Sequence, residues 1–215
     1  MNVVLIHGFW DTGDLFRQLK RRLESAGHKC FSPTLKPRDG WDGLADLAEK
    51  LSGHIEREIP GTEPFVVIGF SMGCLVAKYY LQNLLQPPRC PAFFAISGPM
   101  KGTLTANFYP GKGARDMRPN SEFLRDLENS TDRLNTLDIH TYFTPLDLII
   151  IPATSSRLAR ASEMRVNEPL HRWMLKNEKV LEDILSKMEI INDGHSHKVA
   201  SEIINSTEPP MRQRN

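Results

Sequence analysis

The hydrophobic pattern of this chain alternates between short apolar runs and longer amphipathic segments. Six runs are short enough to be strands, and they lie near residues 2–6, 29–32, 64–69, 92–96, 138–143 and 163–166. Apolar residues at helical spacing occupy segments near residues 13–26, 43–58, 72–85, 120–128 and 171–188. This alternation is typical of a mostly parallel sheet covered on both faces by helices, so it predicts an α/β protein with a three-layer α/β/α sandwich of about six strands.

One connection is longer than an ordinary crossover between parallel strands. Residues 97–137 separate two predicted strands by about forty positions, and the first part of this segment is rich in glycine and proline. We expect an irregular stretch, then one helix, which together form a short lid-like insertion over the carboxyl edge of the sheet. The pattern otherwise predicts a single domain over residues 1–205 and a flexible carboxyl-terminal tail over 206–215.

Composition and charge narrow the class of protein. The formal net charge is +1, without a basic stripe interleaved with aromatic residues, which argues against a nucleic-acid partner. No apolar run approaches the roughly 20 residues of a transmembrane helix, and the amino terminus enters a strand without a secretory signal pattern, so we expect a cytoplasmic protein. The three cysteines have no metal-like spacing and are expected to be buried thiols; they are Cys30, Cys74 and Cys90.

A serine lies between the third apolar run and the helical segment that follows it, in the sequence Gly69-Phe70-Ser71-Met72-Gly73. A sharp strand-to-helix turn crowds the positions two residues before and after the serine, where glycine fits. Such a turn exposes the Ser71 hydroxyl at the carboxyl edge of the sheet and aims the Met72 N–H at a developing oxyanion. The alternative is a glycine turn whose serine only caps a helix.

A serine nucleophile needs a histidine base and a carboxylate that orients the histidine, and this context predicts the order serine, acid, histidine. Asp147 comes just after the 138–143 strand, because Thr144-Pro145 ends that strand. Glu163 and Glu168 are weaker substitutes for it.

His171 follows the last predicted strand and opens an amphipathic helix, so it is the predicted base. His195 is the alternative base. It lies in a predicted polar turn, Asn192-Asp-Gly-His, after the last clear strand and helix. His195 and His197 lack further ligands at metal-site spacing, so no metal site is predicted. Catalysis by a serine, a histidine and a carboxylate requires no organic cofactor either.

The loop after the first strand reads His7-Gly8-Phe9-Trp10. Gly8 lets the backbone curl so that the Phe9 N–H faces the serine as a second oxyanion donor, and His7 is expected to hold the loop by hydrogen bonds. Four aromatic side chains are candidates for an apolar substrate pocket, although core packing explains them equally well; they are Trp10, Phe108, Tyr109 and Phe123.

Together these segments resemble the α/β-hydrolase superfamily, and within it the small bacterial lipases and lipase-like hydrolases. The resemblance is carried by His-Gly-Phe at 7–9, the serine turn at 69–73, Thr-Pro-Leu-Asp at 144–147 and His-Arg-Trp-Met-Leu at 171–175. It implies a catalytic triad of Ser71, Asp147 and His171, with an oxyanion hole formed by the N–H groups of Phe9 and Met72.

The expected activity is therefore that of a serine hydrolase, an esterase or lipase that cleaves carboxylic esters through an acyl-enzyme. Its substrate would be a small-molecule or lipid ester. A thioesterase or an acyltransferase would use the same triad and differ in the leaving group or the acceptor. A non-catalytic binding protein with the same fold is the third hypothesis.

Overall fold

The computed structural model describes residues 1–129 and 131–207, and in these residues six strands form one parallel sheet. The strand order is β2-β1-β3-β4-β5-β6, and every neighbouring pair is parallel. The strands are β1 (Asn2–Ile6), β2 (Lys29–Phe31), β3 (Phe65–Phe70), β4 (Ala92–Ile96), β5 (Asp138–Phe143) and β6 (Ser162–Arg165). The predicted three-layer α/β/α fold is confirmed.

Helices connect the strands and cover both faces of the sheet. They are α1 (Arg17–Ser25), α2 (Leu44–Glu58), α3 (Met72–Tyr79), α4 (Lys112–Asp116), α5 (Glu122–Asn129) and α6 (Glu178–Thr207). The last predicted helix is in fact two elements, because a 3-10 helix over His171–Lys176 precedes α6. No helix in the described part of the chain is long and apolar enough to cross a membrane.

The sheet is buried on both faces, which explains the nearly continuous apolar runs of its central strands. In β1, Val4 and Ile6 belong to a core shared with α2 and α3, whereas Val3 and Leu5 belong to a second core shared with α1 and α6. As predicted, all three cysteines are buried free thiols.

The long connection between β4 and β5 differs from the predicted lid in its second half. Leu124 and Leu127 of α5 belong to the core that includes α3, and the Phe123 ring stacks on Tyr79 at a centroid distance of 5.5 Å. Tyr79 is the last residue of α3, about 12 Å along the helix from Ser71. Helix α5 therefore packs against the far end of α3 rather than over the serine.

The carboxyl-terminal part of the chain also differs from the prediction. Helix α6 runs from Glu178 to Thr207 and passes through 192–195, where a polar turn was expected. That expectation was wrong: helix α6 continues through Gly194. Residues 208–215, most of the predicted tail, lie outside the described residues.

The chain reverses its direction of winding between β1 and β3, since β2 lies on one side of β1 and β3 on the other. The register pairs Ile6 at the end of β1 with Gly69 near the end of β3. Parallel α/β sheets bind ligands in the crevice outside such a reversal point. The loops that follow β1 and β3 therefore meet where a site is expected.

Candidate active site

Ser71 lies in a strained turn between β3 and α3. Its φ and ψ are 52° and −125°, a backbone conformation that residues other than glycine rarely adopt. The Ser71 N–H donates to the Ile96 carbonyl of the neighbouring strand at 2.9 Å, which holds the turn against the end of the sheet. Strain of this kind persists where the surrounding structure enforces it, and it concentrates at functional sites.

The two glycines that flank Ser71 are required by close backbone contacts. A Cβ at Gly69 would lie 2.8 Å from the Cα of Cys74, and a Cβ at Gly73 would lie 2.1 Å from the carbonyl oxygen of Ile6. Both distances are too short for a side chain. The glycines therefore let α3 begin directly against β1 and β3, and they place Ser71 at the reversal point of the sheet.

Asp147 and His171 form a buried hydrogen-bonded pair. The Nδ1 of His171 lies 2.7 Å from Oδ2 of Asp147. The other carboxylate oxygen, Oδ1, accepts the backbone N–H groups of Ile149 and Ile150, each at 2.9 Å. Because three donors fix the carboxylate, the carboxylate in turn fixes the orientation of the imidazole and keeps the proton on Nδ1.

Thr144 joins the two loops that carry this pair. Its hydroxyl donates to the carbonyl of Glu168 at 2.8 Å and accepts the Glu168 N–H at 3.1 Å. The loop after β5, which carries Asp147, is thereby tied to the segment that leads into His171.

The second ring nitrogen of His171 is left open. Its Nε2 is buried and has no hydrogen-bond partner among the described residues. The His171 ring lies 4.8 Å from the ring of Phe70, the residue before Ser71. An imidazole held through Nδ1, with a free Nε2 next to a serine turn, has the arrangement of a general base.

The loop after β1 packs directly against the serine turn. A Cβ at Gly8 would lie 3.0 Å from the Cβ of Ser71, closer than ordinary van der Waals contact, so glycine permits this approach without displacing the serine turn. His7 lies 2.8 Å through Nδ1 from the Gly8 carbonyl and accepts the Leu35 N–H through Nε2 at 2.9 Å. Burial lowers the pKa of His7, which keeps the ring neutral, and its hydrogen bonds give it the expected structural role.

Of the four predicted pocket aromatics, Trp10, Phe108 and Tyr109 lie at this edge of the sheet. Trp10 and Tyr109 form a cluster with Phe9, and the ring centroids are 4.8 to 5.4 Å apart. Phe108 precedes Tyr109 and is 84% exposed. Phe123 lies apart from the cluster, in its stack with Tyr79, and so packs the helical layer instead.

An ion pair beside the site was missed in the sequence. Oδ1 of Asp11 lies 2.8 Å from a guanidinium nitrogen of Arg172, with the Asp11 side chain 10% exposed and that of Arg172 66% exposed. Burial raises the pKa of Asp11, and the positive charge of Arg172 opposes that shift. The pair joins the turn that begins at His171 to the loop after β1. Its only sequence signal is a charged residue next to each predicted site segment.

Among the described residues, no group of three or more His, Cys, Asp or Glu side chains is placed to hold a metal ion.

The alternative base, His195, is a residue of α6. Its side chain lies outside the described part of the structure, and so does the side chain of His197.

A comparison with protein families identifies the family of this chain. Residues 3–184 match the family model described as the alpha/beta hydrolase family. The chain therefore belongs to the α/β hydrolase family, and this membership supports hydrolase activity. A comparison with curated protein sequences finds no match.

Solved structures are similar in fold and distant in sequence. The mature lipase BlEst2 of Bacillus licheniformis matches with a TM-score of 0.67 and 12% identity, covering 86% of this chain and 91% of the lipase. The ydeN gene product of B. subtilis matches with a TM-score of 0.65 and 16% identity, covering 86% and 97%. Polyneuridine aldehyde esterase matches with a TM-score of 0.60 and 20% identity, covering 87% and 98%. At these identities the likeness concerns the fold.

Proposed function

We propose that the protein is a serine hydrolase that cleaves carboxylic esters, with Ser71 as nucleophile, His171 as general base and acid, and Asp147 as the carboxylate that orients His171. The observation that carries the proposal is the 2.7 Å contact between His171 Nδ1 and Asp147 Oδ2, which leaves the buried Nε2 of His171 without a partner among the described residues. Membership of the α/β hydrolase family supports the same reaction class.

In the first half of the reaction, Ser71 Oγ forms a bond to the ester carbonyl carbon as its proton passes to His171 Nε2. The tetrahedral oxyanion accepts hydrogen bonds from two backbone N–H groups, that of Met72 at the start of α3 and that of Phe9 after Gly8. The carbon–oxygen bond to the alcohol then breaks, and His171 returns its proton to the leaving alcohol. In the second half, water loses a proton to His171 and attacks the acyl-Ser71 carbonyl carbon. The bond between that carbon and Ser71 Oγ then breaks, and His171 returns the proton to Oγ, which releases the acid and restores the serine hydroxyl.

The surface around Ser71 supports a substrate with an apolar acyl group. Exposed large apolar side chains are concentrated on loops that follow the carboxyl ends of the strands. They include Trp10 after β1, Trp41 after β2, Tyr109 after β4, Leu148 and Ile149 after β5, and Leu170 and Trp173 after β6. Clustered exposed apolar residues mark binding surfaces in proteins. The cluster of Phe9, Trp10 and Tyr109 is the wall that an acyl chain would contact.

The test is hydrolysis of p-nitrophenyl esters from acetate to palmitate by the full chain. We expect a chain-length optimum above acetate, loss of activity in Ser71→Ala, and a shift of the optimum towards shorter chains in Trp10→Ala. Matched acyl thioesters separate this proposal from a thioesterase. Absence of turnover with every ester, by protein that melts cooperatively, would contradict the proposal.

A further inference from the structure

A buried lysine outside the candidate active site has no partner. The Lys78 side chain lies on α3 and is 4% exposed. Among the described residues its ammonium has neither a hydrogen-bond acceptor nor a carboxylate oxygen within 4.0 Å, although the charge of Glu128 acts on it from farther away. Burial lowers the pKa of Lys78. Lysine is almost never buried to this extent without a partner.

Lys78 borders a cavity of about 690 Å³. The cavity lies between α3, α5, the loop after β4 and the segment around residue 158. The buried part of the wall is apolar apart from Lys78, and it consists of Met100, Leu124, Leu134 and Ile139. The cavity is thus large enough for a small organic molecule, with one cation set in an apolar wall.

The mouth of the cavity is also positively charged. Lys101, Arg125 and Arg160 are exposed residues of its lining, and Glu128 is the carboxylate among them. Arg157 lines the cavity too, but its guanidinium is paired with Glu163 at 2.9 Å. Exposed cations around an opening raise the local concentration of anions.

The cavity is separate from the candidate active site. Ser71, Asp147, His171 and Phe9 are not among the residues that line it within the described chain. Lys78 is seven residues beyond Ser71, about 10 Å farther along α3. A ligand in this cavity would therefore meet neither the serine nor its histidine.

We propose that this cavity binds an organic carboxylate with an apolar body, whose carboxylate pairs with the ammonium of Lys78 and whose body contacts Met100, Leu124 and Ile139. The geometry matches this class in two respects. The Lys78 side chain is 4% exposed and borders the cavity, so a compact anion there would offset the hydration that the ammonium has lost, and the surrounding apolar wall favours an alkyl or aryl group over a bare inorganic ion.

The binding experiment uses octanoate as the probe, with acetate and 1-octanol as controls that each lack one half of the ligand. Calorimetry on the full chain should give binding of octanoate at least about tenfold tighter than of acetate or octanol. Lys78→Met should weaken octanoate binding at least about tenfold, whereas the exposed α6 lysine in Lys179→Met should leave it unchanged.

Thermal unfolding provides a second readout that a purely structural lysine would not give. Without ligand, Lys78→Met should melt about 2–4 °C above the wild type because a buried unpaired charge is removed, and octanoate should raise the melting temperature of the wild type more than that of Lys78→Met. If Lys78→Met does not fold, the exposed rim variant R125Q/R160Q should weaken octanoate binding at least about threefold. Wild-type affinity in the folded Lys78→Met variant, or in the rim variant, would overturn the proposal. The absence of any octanoate binding would overturn it equally.

Discussion

His171 and Lys78 are both buried ionisable groups near α3, and the protein treats them in opposite ways. His171 has a carboxylate at 2.7 Å, and that carboxylate is itself held by two backbone N–H groups. The Lys78 side chain is 4% exposed and has no such partner among the described residues. The chain thus supplies the partner of His171 but none for Lys78 among the described residues.

This difference has a physical consequence for each region. Breaking a buried, hydrogen-bonded pair costs several kcal/mol because the remaining group is left desolvated. Removing an unpaired buried charge breaks no such interaction. It also removes the free-energy cost of keeping that charge away from water. A substitution that removes one partner of the Asp147–His171 pair should therefore destabilise the fold unless the new side chain keeps the hydrogen bonds, whereas removal of the Lys78 charge should leave the fold intact or more stable.

The largest effect is expected from Asp147→Asn. The amide can no longer hold His171 with the proton on Nδ1 through a charged acceptor, so kcat for ester hydrolysis should fall about 10⁴-fold, which corresponds to about 5.5 kcal/mol. The backbone donors of Ile149 and Ile150 can still bond to the amide oxygen, so the melting temperature should change little. A kcat within tenfold of the wild type would contradict the assignment of Asp147.

A smaller effect is expected from the ion pair between Asp11 and Arg172. Arg172→Gln leaves Asp11 largely buried without its cation and loosens the turn that carries His171, so kcat/KM should fall about three- to tenfold. Arg17→Gln is the matched control, since Arg17 is exposed on α1 and forms no ion pair among the described residues. Equal kcat/KM values for the two variants would show that the pair does not position His171.

The smallest effect concerns the pH dependence of stability at His7. Burial lowers the folded-state pKa of His7, whereas the unfolded chain has a histidine pKa of about 6.5. Between these values the unfolded state binds more protons, so the free energy of unfolding should decrease as pH falls from 7.5 to 5.5, by less than about 1 kcal/mol per pH unit from this residue.

Urea unfolding of wild type and His7→Gln across this pH range measures that contribution. Burial also lowers the pKa of three further histidines, which contribute to the slope in both proteins; they are His28, His54 and His140. The variant should therefore show a shallower slope, not a flat one. Identical slopes would mean that His7 does not titrate with folding.

Much of the fold was predictable because it rests on local periodicity. The β-branched runs predict the strands, and the glycine turn around Ser71 predicts where β3 passes into α3. The predicted turn at 192–195 failed because a single glycine costs a helix only about 1 kcal/mol, which the rest of α6 tolerates. Periodicity also marks α5 as amphipathic but does not say which neighbour its apolar face meets, so Phe123 was expected at the wrong place.

The missing parts of the site depend on contacts between distant segments. Asp11 and Arg172 are far apart in the chain, and no sequence motif predicts that they pair. The isolation of Lys78 is likewise a property of what surrounds it in space. Sequence patterns place residues along elements, whereas the presence or absence of a charge partner follows from how the elements pack.

Labelling with a fluorophosphonate tests the central claim most directly, because the reagent reacts with a serine only when a base activates it. We predict stoichiometric labelling at Ser71, none at this position in Ser71→Ala, a rate at least about a thousandfold lower in His171→Ala, and an unchanged rate in His195→Ala. Labelling of folded His171→Ala at the wild-type rate, or loss of labelling in His195→Ala alone, would contradict the proposed site.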